Sequence, residues 1–365
     1  SLEVIEKNKE KYEVACLVAL SNIESAKAQA KRHKKAKIYI EKLEGKLTSE
    51  RLINKNDLLK LISSNNVDTV VAAISGSDGF ELIHHSILSG KKVLIANKEP
   101  LVMAGEFIVN EAKKHGAQII PIDSEHCAIH QIINGRELDS ISKIILTCSG
   151  GPFHSLPRNK FKAITKNQAL NHPVWKMGKK ITIDSSTLMN KALEIIEAKF
   201  LFGVNHKKIE AIIHPESLIH SFVEFDDGTI LASMAKPDMK IPISYGLSYP
   251  KIFENGLERI DISMLSELTF KKIDRIKFPS LDFAYFAIEA GKGMPIFLNA
   301  ANEVAVNHFL MDNIKFLDIY RLISEVLDYA DKNNIKLNSV TLDAIQDFNE
   351  EAIKISNHLS KQLIK

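Results

Sequence analysis

Over its first 122 residues the chain alternates short apolar, β-branched runs with helical stretches, and no other feature limits its fold as much. Tyr12–Leu20 (YEVACLVAL), Ala36–Ile40, Val67–Ile74, Lys92–Ala96 and Gln118–Ile122 read as strands. Ser1–Glu6, Asn22–Arg32, Phe80–Ser89 and Phe107–Lys114 read as helices, with Ser1 placed as a cap. Strands joined by helical crossovers pair in parallel, and their sheet is covered on both faces. Such sheets gather ligands at the carboxyl ends of their strands. The expected class is therefore α/β with a Rossmann-like N-terminal domain.

The pattern changes after about Leu138. Ile141–Cys148 reads as a strand followed by Gly150-Gly151-Pro152, and a long polar stretch runs on to Lys180. Thr187–Phe202 reads as a strong helix, and Ala211–Phe225 and Thr229–Ala235 as strands about the turn Asp226-Asp227-Gly228. Pro237–Pro279 reads as irregular chain. Asp282–Ala290, Ile296–Met311, Phe316–Lys332 and Leu342–Leu363 read as a helical tail. The division expected is 1–122, nucleotide-type; 123–248, a central α+β catalytic region; 249–278, a linker; and 279–365, a C-terminal helical domain whose plain role is core support.

The bulk properties exclude several function classes. A net charge of +3 across 365 residues does not make the concentrated basic face of a nucleic-acid binder, and Lys31–Lys35 is short enough to be a solvated face. Three cysteines without a CxxC spacing offer neither a disulfide framework nor a structural zinc site. No apolar run is long enough to span a membrane.

Three motifs carry chemistry. Gln118–Ile122 leads into Asp123-Ser124-Glu125-His126, and in an extended chain residues i and i+2 face the same way, so both carboxylates would project together. Two adjacent carboxylates repel unless one is protonated or a cation holds them, and a hard dication such as Mg²⁺ or Mn²⁺ suits oxygen ligands. Such a pair is also common in solvated turns. In Ile183–Glu197, Ser185 or Ser186 can cap a helix whose free N–H groups would accept an anion. Asn190, Glu194 and Glu197 then share one face beside Lys191, a stripe that ordinarily faces solvent. Asn97-Lys98-Glu99 and Ser149-Gly150-Gly151 each follow a strand, and His172–Gly178 holds the single tryptophan in a loop that could cover a ligand or anchor on the core.

Taken together, AAISGSDG (Ala72–Gly79), LIANKE (Leu94–Glu99), PIDSEH (Pro121–His126), LTCSGGPF (Leu146–Phe153), HPVWKMGKKITIDSSTLMNKALEIIEA (His172–Ala198), IHPESLIHSFVEF (Ile213–Phe225), PDMKIPI (Pro237–Ile243) and LNAANEVAV (Leu298–Val306) resemble the 1-deoxy-D-xylulose 5-phosphate reductoisomerase family over nearly the whole chain. The resemblance implies metal ligands at Asp123, Glu125 and Glu194. It implies substrate contacts at Ser149, Ser185, Asn190, Lys191, Ser124, Lys98 and His172, and at Glu125 and Glu194 as well. Trp175 would close over the substrate, and Lys98, Glu125 and Lys191 would be the catalytic set. NADPH would be touched by Asn22, Asn97, Glu99, Met177 and Gly178.

The implied reaction breaks and remakes a carbon–carbon bond of the sugar phosphate by retro-aldol and aldol steps, then reduces the branched aldehyde with hydride from NADPH, in isoprenoid precursor synthesis. A homodimer is implied, in a bacterial cytoplasm or a plastid-type organelle. Family members open with a strand and a GxTGxxG loop, so roughly 15 or more residues are expected ahead of Ser1. The alternative is a non-catalytic ligand-binding homologue without that phosphate loop. No acidic residue stands at Leu20-Ser21-Asn22, which favours NADP over NAD, and Pro100 stands where a serine is usual.

Overall fold

A computed structural model describes residues 1–42, 49–74, 76, 79–175, 177–254 and 256–364. The turn expected after Val67–Ile74 falls partly outside them, at Ser75, Ser77 and Asp78, as does Lys176 in the Trp175 loop. The chain folds as two compact units, each assembled from three separate segments: 1–97, 108–123 and 239–257, and 98–107, 124–238 and 258–365.

The first unit holds α1 (Leu2–Glu6), β1 (Cys16–Ala19), α2 (Ile23–Arg32), β2 (Lys37–Ile40), α3 (Lys55–Ser63), β3 (Thr69–Ala72), α4 (Phe80–Leu88) and β4 (Lys92–Ile95). All its strands pair in parallel, as the crossover pattern requires. β1 pairs with β2 from Cys16↔Lys37 to Ala19↔Ile40. β4 lies between β3 and β5 (Gln118–Pro121), with α5 (Glu99–His115) connecting β4 to β5. Each strand is shorter than its apolar run, because the outer residues turn away into loops. β1 and β3 both border a cavity of about 340 Å³ lined by Val14, Cys16, Val18, Val71 and Leu247, so the parallel strands form two separate sheets. α3 was not legible as a helix. Its start, Lys55-Asn56-Asp57, is polar, and the signal is the Asn54 side chain accepting the Asp57 N–H at 2.9 Å.

The second unit contains α6 (Ser124–Ile133), β6 (Ile141–Cys148), α7 (Lys166–Ala169), α8 (Lys179–Thr187), α9 (Met189–Phe202), β7 (Ile209–Ile213), β8 (Ile219–Phe225) and β9 (Ile230–Met234). Ala211–Phe225 is thus two strands rather than one. His214 breaks the run, since its ring accepts or shares the Leu218 and Ile219 N–H groups at 3.2 and 3.1 Å. The stretch 237–279 is not wholly irregular either. It holds α10 (Lys240–Ser248), which belongs to the first unit, and the two-residue β10 (Lys271–Lys272). Pro242 sits in the first turn of α10, where a missing N–H costs nothing.

The mixed sheet runs β10-β7-β6-β8-β9, with β6 parallel to β7 and antiparallel to β8. α9 packs on β6 and β7, and α6 on β8 and β9. The helical tail is α11 (Ser280–Ala290), α12 (Met294–Leu310), α13 (Phe316–Lys332) and α14 (Leu342–Ser360), with α12 buried against α11, α13 and α14. Among the described residues no helix is long and apolar enough to cross a membrane.

Candidate active site

Glu125 is not on an extended strand end. It lies in the first turn of α6, and Asp123 is the residue immediately before that helix. The i, i+2 strand argument therefore fails: Ser124 starts a helix instead of continuing β5. Its hydroxyl donates to Glu125 Oε2 at 2.5 Å, and the Ser221 hydroxyl on β8 fixes the turn by donating to the Glu125 carbonyl at 3.1 Å.

α9 likewise departs from expectation. Ser185 and Ser186 do not cap it; they lie in the last turn of α8. Leu188, in left-handed conformation at φ 58°, separates the helices, and no side chain caps α9, so the expected serine cap is absent there. Nor does the polar stripe face solvent. Lys191, Glu194 and Glu197 are all buried, because α9 is covered by the sheet on one side and α11 on the other.

Burial forces these charges to pair. Lys191 Nζ donates to Glu125 Oε1 at 2.8 Å and to Glu194 Oε2. Lys98 Nζ donates to Glu194 Oε1 at 3.1 Å and to Asn190 Oδ1 at 2.7 Å, and Asn190 Nδ2 donates to the same Glu194 oxygen at 2.5 Å. Burial alone would push the Glu125 carboxyl up, but the Lys191 ammonium and the Ser124 hydroxyl hold it down at about 2. Lys191 is correspondingly held above the ordinary lysine range by the two carboxylates, against its burial. Glu125 therefore stays ionised, and with Glu194 it offers hard oxygen donors beside the lysine ammonium groups, the donor chemistry a divalent metal needs.

A second cluster surrounds His172. Its Nδ1 accepts the Trp175 N–H at 2.8 Å and the Val174 N–H at 3.2 Å, so its ring hydrogen sits on Nε2. That nitrogen faces Ser185 Oγ at 3.0 Å and Ser149 Oγ at 3.1 Å. Burial lowers the His172 pKa and keeps the ring neutral. Ser149 Oγ also accepts the Gly151 N–H at 3.2 Å. With their oxygens accepting, both hydroxyls can direct their hydrogens outward, as a phosphate oxygen requires. Gly151 allows the approach: at φ +64° a Cβ there would stand 2.6 Å from the Ser185 carbonyl oxygen.

The remaining expected residues fall as follows. Asn97 is buried, and its Nδ2 donates to the Ile74 carbonyl at 2.5 Å and the Gly76 carbonyl at 2.8 Å. Glu99 is buried and accepts from Lys180 Nζ at 3.1 Å. Met177 is half-buried, and Gly178 caps α8. Asn22 is exposed, and its Oδ1 serves as the cap of α2 through the Ser25 N–H at 2.9 Å. Sequence reasoning gave no role to His126, whose Nε2 lies 3.0 Å from the Glu194 carbonyl oxygen, or to Lys180, Asp184 and Asn302. The position of His126 within DSEH was the only signal for it.

Family models match along the chain. One described as 1-deoxy-D-xylulose 5-phosphate reductoisomerase matches residues 1–105, and that enzyme's C-terminal domain matches 119–202. A further model, of the DXP reductoisomerase C-terminal domain, matches 234–355. Curated relatives of that name include one from Clostridium perfringens strain 13, 42% identical over 96% of this chain and 93% of its own length. Another, from Chloroherpeton thalassium, is 43% identical over 91% of this chain and 88% of its own length. A DOX-P reductoisomerase crystal structure in complex with NADPH, fosmidomycin and magnesium superposes with TM-score 0.90 at 35% identity, covering 99% of this chain and 95% of that one. The Zymomonas mobilis enzyme in complex with NADPH superposes with TM-score 0.88 at 35% identity, covering 98% and 94%.

Proposed function

The chain belongs to the 1-deoxy-D-xylulose 5-phosphate reductoisomerase family, and from that premise we propose that it converts 1-deoxy-D-xylulose 5-phosphate to 2-C-methyl-D-erythritol 4-phosphate with NADPH and a divalent metal. The observation that carries this reading is the Glu125–Lys191–Glu194–Lys98 cluster, buried at all but Glu125, in the same unit as the paired hydroxyls of Ser149 and Ser185. When bound, the metal supplies Lewis acidity to the substrate carbonyl and NADPH supplies hydride.

We assign the metal to Asp123, Glu125 and Glu194. Three carboxylates outweigh one dication, and Lys98 and Lys191 offset the excess negative charge. Ser149, Ser185, Asn190 and Lys191 hold the phosphate and neighbouring hydroxyls, with Ser124 and His172 completing the substrate contacts. His172 does so as a neutral ring whose Nε2–H keeps both serine oxygens occupied. Lys98 and Lys191 stabilise the negative charge that develops on substrate oxygens as the carbon–carbon bond breaks. Trp175, anchored through its N–H to His172, keeps water from the reacting carbons. Asn22, Asn97, Glu99, Met177 and Gly178 are assigned to NADPH, the segment to Ile122 being the cofactor-binding part. The capping duty of Asn22 leaves its Nδ2 for that contact. A cytoplasmic homodimer completes the assignment.

The test is NADPH oxidation at 340 nm with 1-deoxy-D-xylulose 5-phosphate, with and without Mg²⁺ or Mn²⁺. Turnover is expected only with metal. Asp123→Asn, Glu125→Gln and Glu194→Gln should each abolish it, and a residue whose variant keeps the full rate leaves the ligand set. NADPH-binding protein without turnover under any metal would favour the non-catalytic homologue.

A further inference from the structure

A second ionic chain in the same unit lies outside the residues assigned above, apart from Glu99. Lys180, in the first turn of α8, donates to Asp184 Oδ2 at 2.8 Å and to Glu99 Oε1 at 3.1 Å. The other oxygen of Asp184, Oδ1, accepts from Asn302 Nδ2 of α12 at 2.8 Å, and both Asp184 and Asn302 are buried. The Lys180 and Asp184 side chains are 27% and 3% exposed, so this is not one of the solvent-screened surface pairs that contribute little. The Lys180 ammonium holds the Glu99 carboxyl below the usual range against its burial.

The chain ends beside the site at both extremes. Glu99 directly follows Lys98, which reaches Glu194 and Asn190. Asp184 directly precedes Ser185, which is bonded to His172. The C-terminal helices grip the same corner a second time, where the Ser280 and Tyr320 hydroxyls donate to the Thr187 carbonyl at 2.7 and 3.2 Å. That carbonyl immediately precedes left-handed Leu188, where α8 gives way to α9.

We propose that Lys180 is a positioning residue: clamped between Asp184 and Glu99, with Asp184 locked by Asn302, it fixes the two backbone segments that present Ser185 and Lys98. The proposal rests on the reading that Ser185 and Lys98 serve a sugar-phosphate site. It gives the C-terminal helices a specific task beyond covering the core. Loss of the clamp lets α8 shift against His172 and Lys98 shift against Glu194, and displacements of an ångström at such groups are costly in rate.

The experiment compares wild type, Lys180→Met, Lys180→Arg, Asp184→Asn, Asn302→Leu and the exposed-pair control Arg321→Met by three measurements. These are steady-state kinetics, affinity for inorganic phosphate by calorimetry, and the His172 ring nitrogen signals by NMR. Lys180→Met should lower kcat/KM on the order of a hundredfold, through both a raised KM for the sugar phosphate and a lowered kcat. It should also weaken phosphate binding and shift the His172 Nε2 signal, while Lys180→Arg recovers most of each and Arg321→Met changes none.

Folded Lys180→Met and Asn302→Leu proteins with wild-type phosphate affinity, His172 signals and kcat/KM would overturn the proposal. If Lys180→Met does not fold, the near-isosteric Asp184→Asn decides by the same readouts. If wild type itself turns over no sugar phosphate, the reductoisomerase reading fails, while phosphate affinity and the His172 signals still decide the clamp.

Discussion

Lys191 is the residue on which the electrostatics of the site turn, since it bridges Glu125 and Glu194. Lys191→Met should cost about 3–5 kcal/mol at neutral pH without metal, because buried Glu194 and half-buried Glu125 lose their shared cation. Urea denaturation in EDTA measures this, and added Mg²⁺ should restore part of the loss. The pH dependence follows from the Glu125 shift. Its folded pKa, about 2, lies below the ordinary 4.5, so its contribution is present above about 4.5 and is lost as pH falls through about 2. In metal-free Lys191→Met the strongest lowering partner is gone while the Ser124 hydroxyl remains, so the Glu125 pKa rises and this acid-labile contribution shrinks. Equal acid slopes for the two proteins would refute the account.

The residue types of this cluster were legible in the sequence, but their burial was not. Asn190, Lys191, Glu194 and Glu197 make a stripe whose solvated form would look the same on paper. Only the sheet beneath α9 and α11 above it decide the matter. Glu194 could be joined to Glu125 by resemblance alone, since they lie on different helices and no spacing links them.

At the level of elements, most strands and helices were legible because periodicity records the faces that become buried. The failures sit where side chains override local pattern: Ser124 starts a helix directly after a strand, His214 splits one apolar run into two strands, and a separate helix, α8, ends at Thr187 where Ser185 or Ser186 was expected to cap α9. Two substitutions test how elements are seated. Gly105 in α5 has Phe200 of α9 so close that a Cβ would stand 2.4 Å from its ring. Gly105→Ala should destabilise the protein despite better helix propensity, because overpacking costs about 1–3 kcal/mol against a gain of at most about 1. A raised melting temperature would show that Phe200 yields freely. Tyr320→Phe removes one of two donors to the Thr187 carbonyl and should cost about 1 kcal/mol, the other donor remaining on Ser280. Chemical denaturation at neutral pH reads both.

For the whole molecule, sequence order and spatial grouping differ. The first unit takes its final segment, 239–257, from far along the chain, and no local pattern announces that. Leu247 of α10 joins Val4, Leu94, Ile120 and Ile122 in one apolar cluster, and Lys92 Nζ donates to the Leu247 carbonyl at 3.0 Å. Gly246 fits so closely that a Cβ would meet Ile122 at 2.8 Å. A chain ending at Asp238 should therefore leave the β4 and β5 amides weakly protected from hydrogen exchange. Adding residues 239–257 as a separate peptide should restore some protection. Native-like protection in the shortened chain would show that α10 is dispensable to the first unit.

The interleaved segments also set a timetable for synthesis. A ribosome adding about 5–20 residues per second needs roughly seven to twenty-seven seconds to travel from Asp123 to Leu257. Through that interval the strands at Leu94 and Ile120 have emerged while the helix that covers them has not been made. Nascent-chain holdases have their longest opportunity there, and slowing translation between the two points should lower the yield of folded protein more than slowing it within the helical tail.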